Sequence, residues 1–299
     1  MKLRIENVTK KYNDLVALNN VSLEIPEQSI FGLLGPNGAG KTSLIRIINQ
    51  IIGMDSGKIY LNGEKLKQYH TEKIGYLPEE RGLYDDMKIG EELIYLAKLK
   101  GLTPKNAKEK IKEWMRRFKI EDWWDKKVNE LSKGMQQKVQ FITTIVHEPE
   151  LIIFDEPFTG LDPVNTNLIK SEILKLRDRG TTIIFSTHRM EQIEEICEDI
   201  ALINNGNIVL KGKIEDIKQT YKKNHYRLNF SGKLPEIIQK KFKIIETFNH
   251  EVIVELEHEI DSEEFLKSVL GKVRIKSFDE ILPSLNEIFI GQVEGDSFE

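Results

Sequence analysis

Residues 35–42 read Gly-Pro-Asn-Gly-Ala-Gly-Lys-Thr, directly after the apolar run 30–34 and directly before a stretch of helical periodicity. A strand, a glycine-bracketed turn and a helix in immediate succession leave the N–H groups of the turn converging at a helix N-terminus, where they favour an anion. Gly35, Gly38 and Gly40 permit backbone angles and close approach that a Cβ would obstruct, and Pro36, Asn37 and Ala39 complete the loop. Lys41 supplies a cation for β- and γ-phosphates, and the hydroxyl of Thr42 or Ser43 can ligate Mg²⁺, the usual alignment favouring Thr42. With glycine near 7% of average composition, a chance match in such a chain is on the order of one in a hundred. The strand and helix on either side lower that further.

From Thr42 the apolar positions Leu44, Ile45, Ile48, Ile51 and Ile52 recur at helical spacing, which predicts a helix stopped by Gly53. The segment 58–66 reads as a hairpin turning at Asn62-Gly63. Residues 85–148 carry mostly helical patterns, and strands return at 151–154, 181–185, 199–203 and 207–210 with helices between them. Alternation of this kind predicts a mainly parallel sheet with helices on both faces. At 299 residues the chain is long enough for two domains. The pattern changes after about residue 216 to strand, helix, strand, strand, helix, strand, the split βαβ order, with a last helical segment carrying Leu285 and Ile288 and an acidic tail after Gly291 that is expected to fray. The expected domains are therefore 1–215 and 216–299, with a helical insertion at about 85–148.

A metal held at the phosphates needs carboxylates, and residues 151–156 supply them: Leu-Ile-Ile-Phe followed by Asp155 and Glu156 at the strand's carboxyl end, where sites in open α/β sheets lie. Asp155 is assigned to Mg²⁺, through water, and Glu156 to polarising the attacking water. General-base assistance is worth roughly 10²–10⁴ in rate, about 3–5 kcal/mol of barrier.

Lys+Arg is 44 against Asp+Glu 48, a net charge of -4, so nucleic acid is not an expected partner. Apolar runs are broken well short of the roughly 18 residues of a membrane span. Lys2 to Ile5 already read as a strand, with no apolar signal core, so a cytoplasmic address is expected. The one cysteine, Cys197, excludes a disulfide framework and is expected to be a half-buried structural thiol.

These residues resemble the ABC ATPases. The family's signature, Leu-Ser-Gly-Gly-Gln in its usual form, has its counterpart in Leu131-Ser132-Lys133-Gly134-Met135-Gln136, in the expected place before the second strand motif. Lys133 and Met135 depart from the pattern. Ser132 and Gly134, which can cap the following helix and admit phosphate, are kept. Tyr12 resembles the aromatic that stacks on adenine, Gly160-Leu161-Asp162 the loop that aligns two ATP sites, and His188 the histidine that reaches the γ-phosphate. Where most members place a glutamine, this chain has Glu79, in Tyr76-Leu77-Pro78-Glu79-Glu80. Ionised glutamate accepts hydrogen bonds but cannot donate them, so metal contact is retained and donation to water or phosphate is lost.

The resemblance covers about the first 215 residues. It implies an α/β fold of the P-loop NTPase, RecA-like kind, with an antiparallel β subdomain, the helical insertion and a small ferredoxin-like α+β domain. It implies ATP and Mg²⁺ as ligands, hydrolysis shared between two such chains (a homodimer or a pair of paralogues), and an integral-membrane permease as partner, with this chain peripheral on the cytoplasmic face. The stretch after Leu77 is similar to NatA-like and multidrug or sodium export ATPases, which points to export. Trp114, Trp123 and Trp124 either fill the insertion's own core or line a groove for the permease. Two alternatives remain in view: a soluble ABC-type ATPase acting on ribosomes or DNA, and a nucleotide-dependent regulator without transport.

Overall fold

The structure, a computed structural model, describes residues 2–80, 82–234, 236–256 and 260–294, and the chain divides into two compact units, Met1–Lys213 and Ile214–Glu299. In the first, β1 (Leu3–Tyr12) pairs antiparallel with β2 (Leu15–Ile25) and with β4 (Ser56–Leu61), and β4 turns into β5 (Glu64–Lys65). The turn is formed by Asn62 and Gly63, both at positive φ (51° and 81°), as a tight two-residue hairpin requires.

The larger sheet of this unit has the order β10-β9-β3-β8-β7-β6. Strands β3 (Ile30–Leu34), β6 (Ile74–Leu77), β7 (Leu151–Asp155), β8 (Thr182–Ser186) and β9 (Asp199–Asn204) run parallel, and β10 (Asn207–Lys213) adds an antiparallel edge. Every residue of β3, β7 and β8 is buried. That explains their unbroken apolar runs, since a parallel strand is covered on both faces. The parallel register sets the carboxyl ends of β3, β7 and β8 side by side, which is what gathers the chemically active loops at one edge.

Helix α1 (Lys41–Ile48) is shorter than its apolar spacing predicts. Gln50 takes φ 56°, the Ile51 amide donates to the Arg46 carbonyl and the Gln50 amide to that of Ile47, a left-handed C-terminal cap formed before Gly53 is reached. Ile51 is consequently exposed, and Ile52 packs on the core from outside the helix.

The insertion consists of α2 (Ile89–Leu99), α3 (Pro104–Phe118) and α4 (Lys133–Ile145). On α3 the residues Ala107, Ile111, Met115 and Phe118 are buried on one stripe. Thr103 caps its start ahead of Pro104, and Lys119 ends it at φ 56°. Trp114, Trp123 and Trp124 are all half-buried. After α5 (Pro163–Asp178) and β8, α6 (Met190–Ile196) is short. Cys197 follows at the junction with β9 and is buried rather than half-buried, because the Glu198 amide next to it already donates to the Ile30 carbonyl of β3 and draws the chain against the sheet; burial pushes its thiol pKa up.

The second unit opens with α7 (Ile214–Thr220). It continues β11 (His225–Ser231), α8 (Glu236–Lys241), β12 (Lys243–Phe248), β13 (Glu251–Glu255), α9 (Ile260–Val269) and β14 (Arg274–Ile281), in an antiparallel sheet of order β12-β13-β11-β14. Alternate residues Tyr226, Leu228 and Phe230 of β11 and Val252 and Val254 of β13 face one core with Phe265 of α9. The last helix, α10 (Leu285–Glu294), runs past Gly291, where the chain was expected to fray; the tail beyond Glu294 lies outside the described residues. No helix among the described residues is long and apolar enough to cross a membrane.

Candidate nucleotide site

One cleft of about 280 Å³ is lined by Tyr12, Leu15, Ala17, residues 37–43, Glu79, Asp155, Glu156 and His188. Five separate segments meet there: the β1–β2 hairpin, the loop from β3 into α1, the segment after β6, the end of β7 and the end of β8. The loop can wrap so tightly because of Gly40. It stands at φ 113°, and a Cβ on it would lie 2.3 Å from the Ala17 carbonyl oxygen.

Lys41, the first residue of α1, folds back over the loop, its Nζ donating to the carbonyls of Gly35 at 2.6 Å and Pro36 at 3.0 Å. Gly35 and Pro36 thus serve the site as acceptors behind the loop and are not among the residues lining the cleft. Burial lowers the Lys41 pKa, opposed by Asp155, Glu156 and Glu79. Three carboxylates on the same cleft therefore favour the charged form of one ammonium.

Asp155 is 4% exposed, and burial pushes its carboxyl pKa up to about 6; the Ser186 hydroxyl and Lys41 oppose the shift, while Glu79 and Glu156 add to it. A carboxylate so poorly solvated, its shift only partly offset by Lys41, favours a further cation beside it. Thr42, Asp155 and the exposed Glu79 on the same cleft form a hard-oxygen donor set of the kind Mg²⁺ uses together with water and phosphate oxygens. Among the described residues no three His, Cys, Asp or Glu side chains form a cage of their own, and an ion that keeps several waters and borrows phosphate ligands needs none.

Glu156 follows Asp155 at φ 51°, a left-handed conformation that a glutamate adopts at a cost of order 1–3 kcal/mol. Its amide donates to the Ser186 carbonyl at 2.9 Å, which ties the end of β7 to the end of β8. Its Oε1 accepts from the His188 amide at 2.9 Å and lies 2.7 Å from His188 Nδ1.

Ser132, Gly134 and Asp162 do not line this cleft. Ser132 caps α4, its hydroxyl accepting from the Met135 amide at 3.3 Å. Gly134 lies against the chain before α5, a Cβ there falling 3.3 Å from the Gly160 carbonyl oxygen. Asp162 caps α5 by accepting from the Asn165 amide at 2.9 Å, and its hydrogen bonds from Asn165 hold its pKa down.

Several participants escape a reading of motifs. Leu15 and Ala17 join the cleft wall through the hairpin, and Thr187, adjacent to His188, donates to Glu156. The position of Thr187 next to the histidine was its only signal. Buried Gln137 donates to the Pro157 carbonyl at 2.9 Å and Gln140 to that of Pro78 at 3.1 Å, tying α4 to the loops after both β7 and β6. Nothing in the sequence announces a bond across 62 residues.

The family pattern described as ABC transporter matches residues 18–159, and one described as ATP-binding protein DrrA1-3-like, C-terminal domain, matches residues 212–293. The chain is 43% identical over 294 residues to the ABC transporter ATP-binding protein YhaQ of Bacillus subtilis, covering 97% of this chain and 98% of YhaQ. With NatA of Bacillus subtilis, an ABC transporter ATP-binding protein, it shares 35% identity over 73% of this chain and 90% of NatA. A solved ATP-binding subunit of an ABC transporter superposes with a TM-score of 0.69 at 28% identity, over 74% of this chain and 93% of that one. A phosphate loop, two carboxylates and a histidine on one cleft thus coincide with likeness along almost the whole chain, and the protein belongs to the family of ABC transporter ATP-binding proteins, which hydrolyse ATP to power transport.

Proposed function

We propose that two copies of this chain, or this chain and a paralogue, bind MgATP head to tail and that the hydrolysis drives export through a separate membrane subunit. The observation that carries the reading is the single cleft on which the phosphate loop, Asp155, Glu156 and His188 converge. In this reading the amides of residues 38–42 and Lys41 grip the phosphates, and Tyr12 offers its ring, 42% exposed, to the adenine. Thr42 and Asp155, with Glu79 as a further acceptor, would hold Mg²⁺, which would supply charge neutralisation at the phosphates. Glu156 accepts a proton from the attacking water. His188 orients Glu156 and meets the γ-phosphate.

Ser132, Gly134 and Asp162 lie outside their own chain's cleft, which supports a pair in which each chain lends these residues to the other. The permease is proposed to dock where the insertion follows Glu79. There Tyr84 and Tyr95 are exposed, 53% and 42%, with their rings edge to face at 6.1 Å. Such aromatic pairs are good anchors for a partner helix. Export is supported by the similarity to NatA-like proteins, and residence on the cytoplasmic face of the membrane follows from docking on the permease.

Lys41→Ala is expected to weaken nucleotide binding. Glu156→Gln is expected to keep binding, to lose roughly 10²–10⁴ in turnover, and to accumulate as a nucleotide-bound dimer visible by light scattering with ATP. A monomeric Gln variant that turns over normally would refute the assignment.

A further inference from the structure

A carboxylate that activates water must be aimed as well as present, and Glu156 is aimed from a single turn. While Oε1 is engaged by His188, Oε2 accepts from the Thr187 hydroxyl at 3.0 Å. The two grips differ in exposure. The His188 side chain is 57% exposed, whereas Thr187 is fully buried. Incoming nucleotide and solvent can compete for the first; the second is shielded from them.

Thr187 is itself fixed. Its Oγ accepts from the Arg189 amide at 3.2 Å and lies 3.4 Å from Gln192 Oε1. A hydroxyl has one proton to give, and Glu156 Oε2 is the nearer acceptor, charged when the glutamate is ionised. Charge-assisted bonds of this kind are the stronger ones. Glu156 also sits at φ 51°, a backbone that does not by itself settle where the side chain points, so the donated bond restrains a residue that has other orientations within reach.

We propose that Thr187 is a positioning residue for ATP hydrolysis, holding the Glu156 carboxylate toward the attacking water after His188 has turned to the nucleotide. The proposal rests on Glu156 being the group that activates water. A purely structural role, in which the hydroxyl only satisfies the Arg189 amide, makes a different prediction for the kinetics.

The test is steady-state MgATP hydrolysis by the full chain and its Thr187→Val and Thr187→Ser variants, with thermal melting alongside. Valine keeps the shape and loses the donor; serine keeps the donor. Thr187→Val is expected to lower kcat by about 10- to 100-fold, the scale of a misplaced catalytic group, with KM for ATP held within about threefold. Thr187→Ser is expected to recover kcat to within about threefold of the parent. Wild-type kcat in the Val variant, a Ser variant as slow as the Val variant, or a loss confined to KM would each overturn the proposal. Should the Val variant melt below the assay temperature, Thr187→Ala carries the same expectation. Glu156→Gln measured in parallel separates the two levels: if it is inactive while Thr187→Val is normal, only Thr187 is wrong, and if it is active, the assignment of Glu156 falls as well.

Discussion

At the scale of single residues, the proposed nucleotide cleft concentrates groups that the fold alone would not favour. Asp155 is held in the sheet edge with its pKa near 6 against an ordinary 3.8. The folded chain without ligands therefore binds this proton more tightly than the unfolded chain does. The penalty is absent below about pH 3.8, grows as pH rises through 6, and is complete at neutral pH, where it amounts to about 3 kcal/mol. Asp155→Asn is expected to raise the melting temperature of the nucleotide-free protein at pH 7, to leave its stability nearly unchanged at pH 4, and to abolish tight MgATP binding. A variant less stable than the parent at pH 7 would show that Asp155 is adequately solvated or paired. The strained backbone of Glu156 belongs to the same trade: stability is lower where the chemistry is built.

At the scale of elements, the insertion is fastened to the rest of its unit by buried apolar packing, Phe141 of α4 stacking on Phe154 of β7, and by a few long-range polar contacts. Arg117 of α3 lies 2.6 Å from Glu172 of α5, and Glu172, only 2% exposed, also meets Lys175 at 2.9 Å. Removing one partner of a buried pair leaves an uncompensated charge, whereas removing both charges together is far less damaging. Arg117→Met is expected to destabilise the chain by roughly 2–4 kcal/mol, the half-exposed Lys175 covering part of the loss, and adding Glu172→Gln is expected to restore most of it. Urea unfolding of the single and double variants measures both quantities; equal stability of all three would mean that the pair is spectator. Gln140, reaching from α4 to the Pro78 carbonyl, provides a second tie, between the signature helix and the segment that carries Glu79.

At the scale of the whole molecule, every residue lining the cleft falls between Tyr12 and His188, and the sheet that supports it is completed by β10, which ends at Lys213. The unit Met1–Lys213 holds its own core, as does Ile214–Glu299. A chain ended after Lys213 is expected to bind nucleotide within about threefold of the full chain, as a domain with its own core should. Titration with a fluorescent ATP analogue checks this, and loss of binding in a folded truncation would show that the second unit supports the site.

The phosphate loop, the buried strand before Asp155 and Glu156, the Asn62-Gly63 hairpin and the order of elements in the second unit were legible in the sequence because each rests on local rules: glycine where φ is positive, apolar runs where both faces are covered, alternation where one is. The early end of α1 was not, since the cap at Gln50 depends on bonds that only the folded turn can make. Nor was the burial of Cys197, which is set by where β9 joins the sheet. The tertiary structure alone decided that Leu15 and Ala17 join the cleft wall, that Gln140 reaches the Pro78 carbonyl and that Thr187 holds Glu156, whereas a place for Glu79 beside Asp155 was already implied by the family resemblance. Those relations join residues far apart in the chain, and although alternating strands and helices announce parallel pairing, the strand order that brings the ends of β3, β7 and β8 to one edge has no local signature to read.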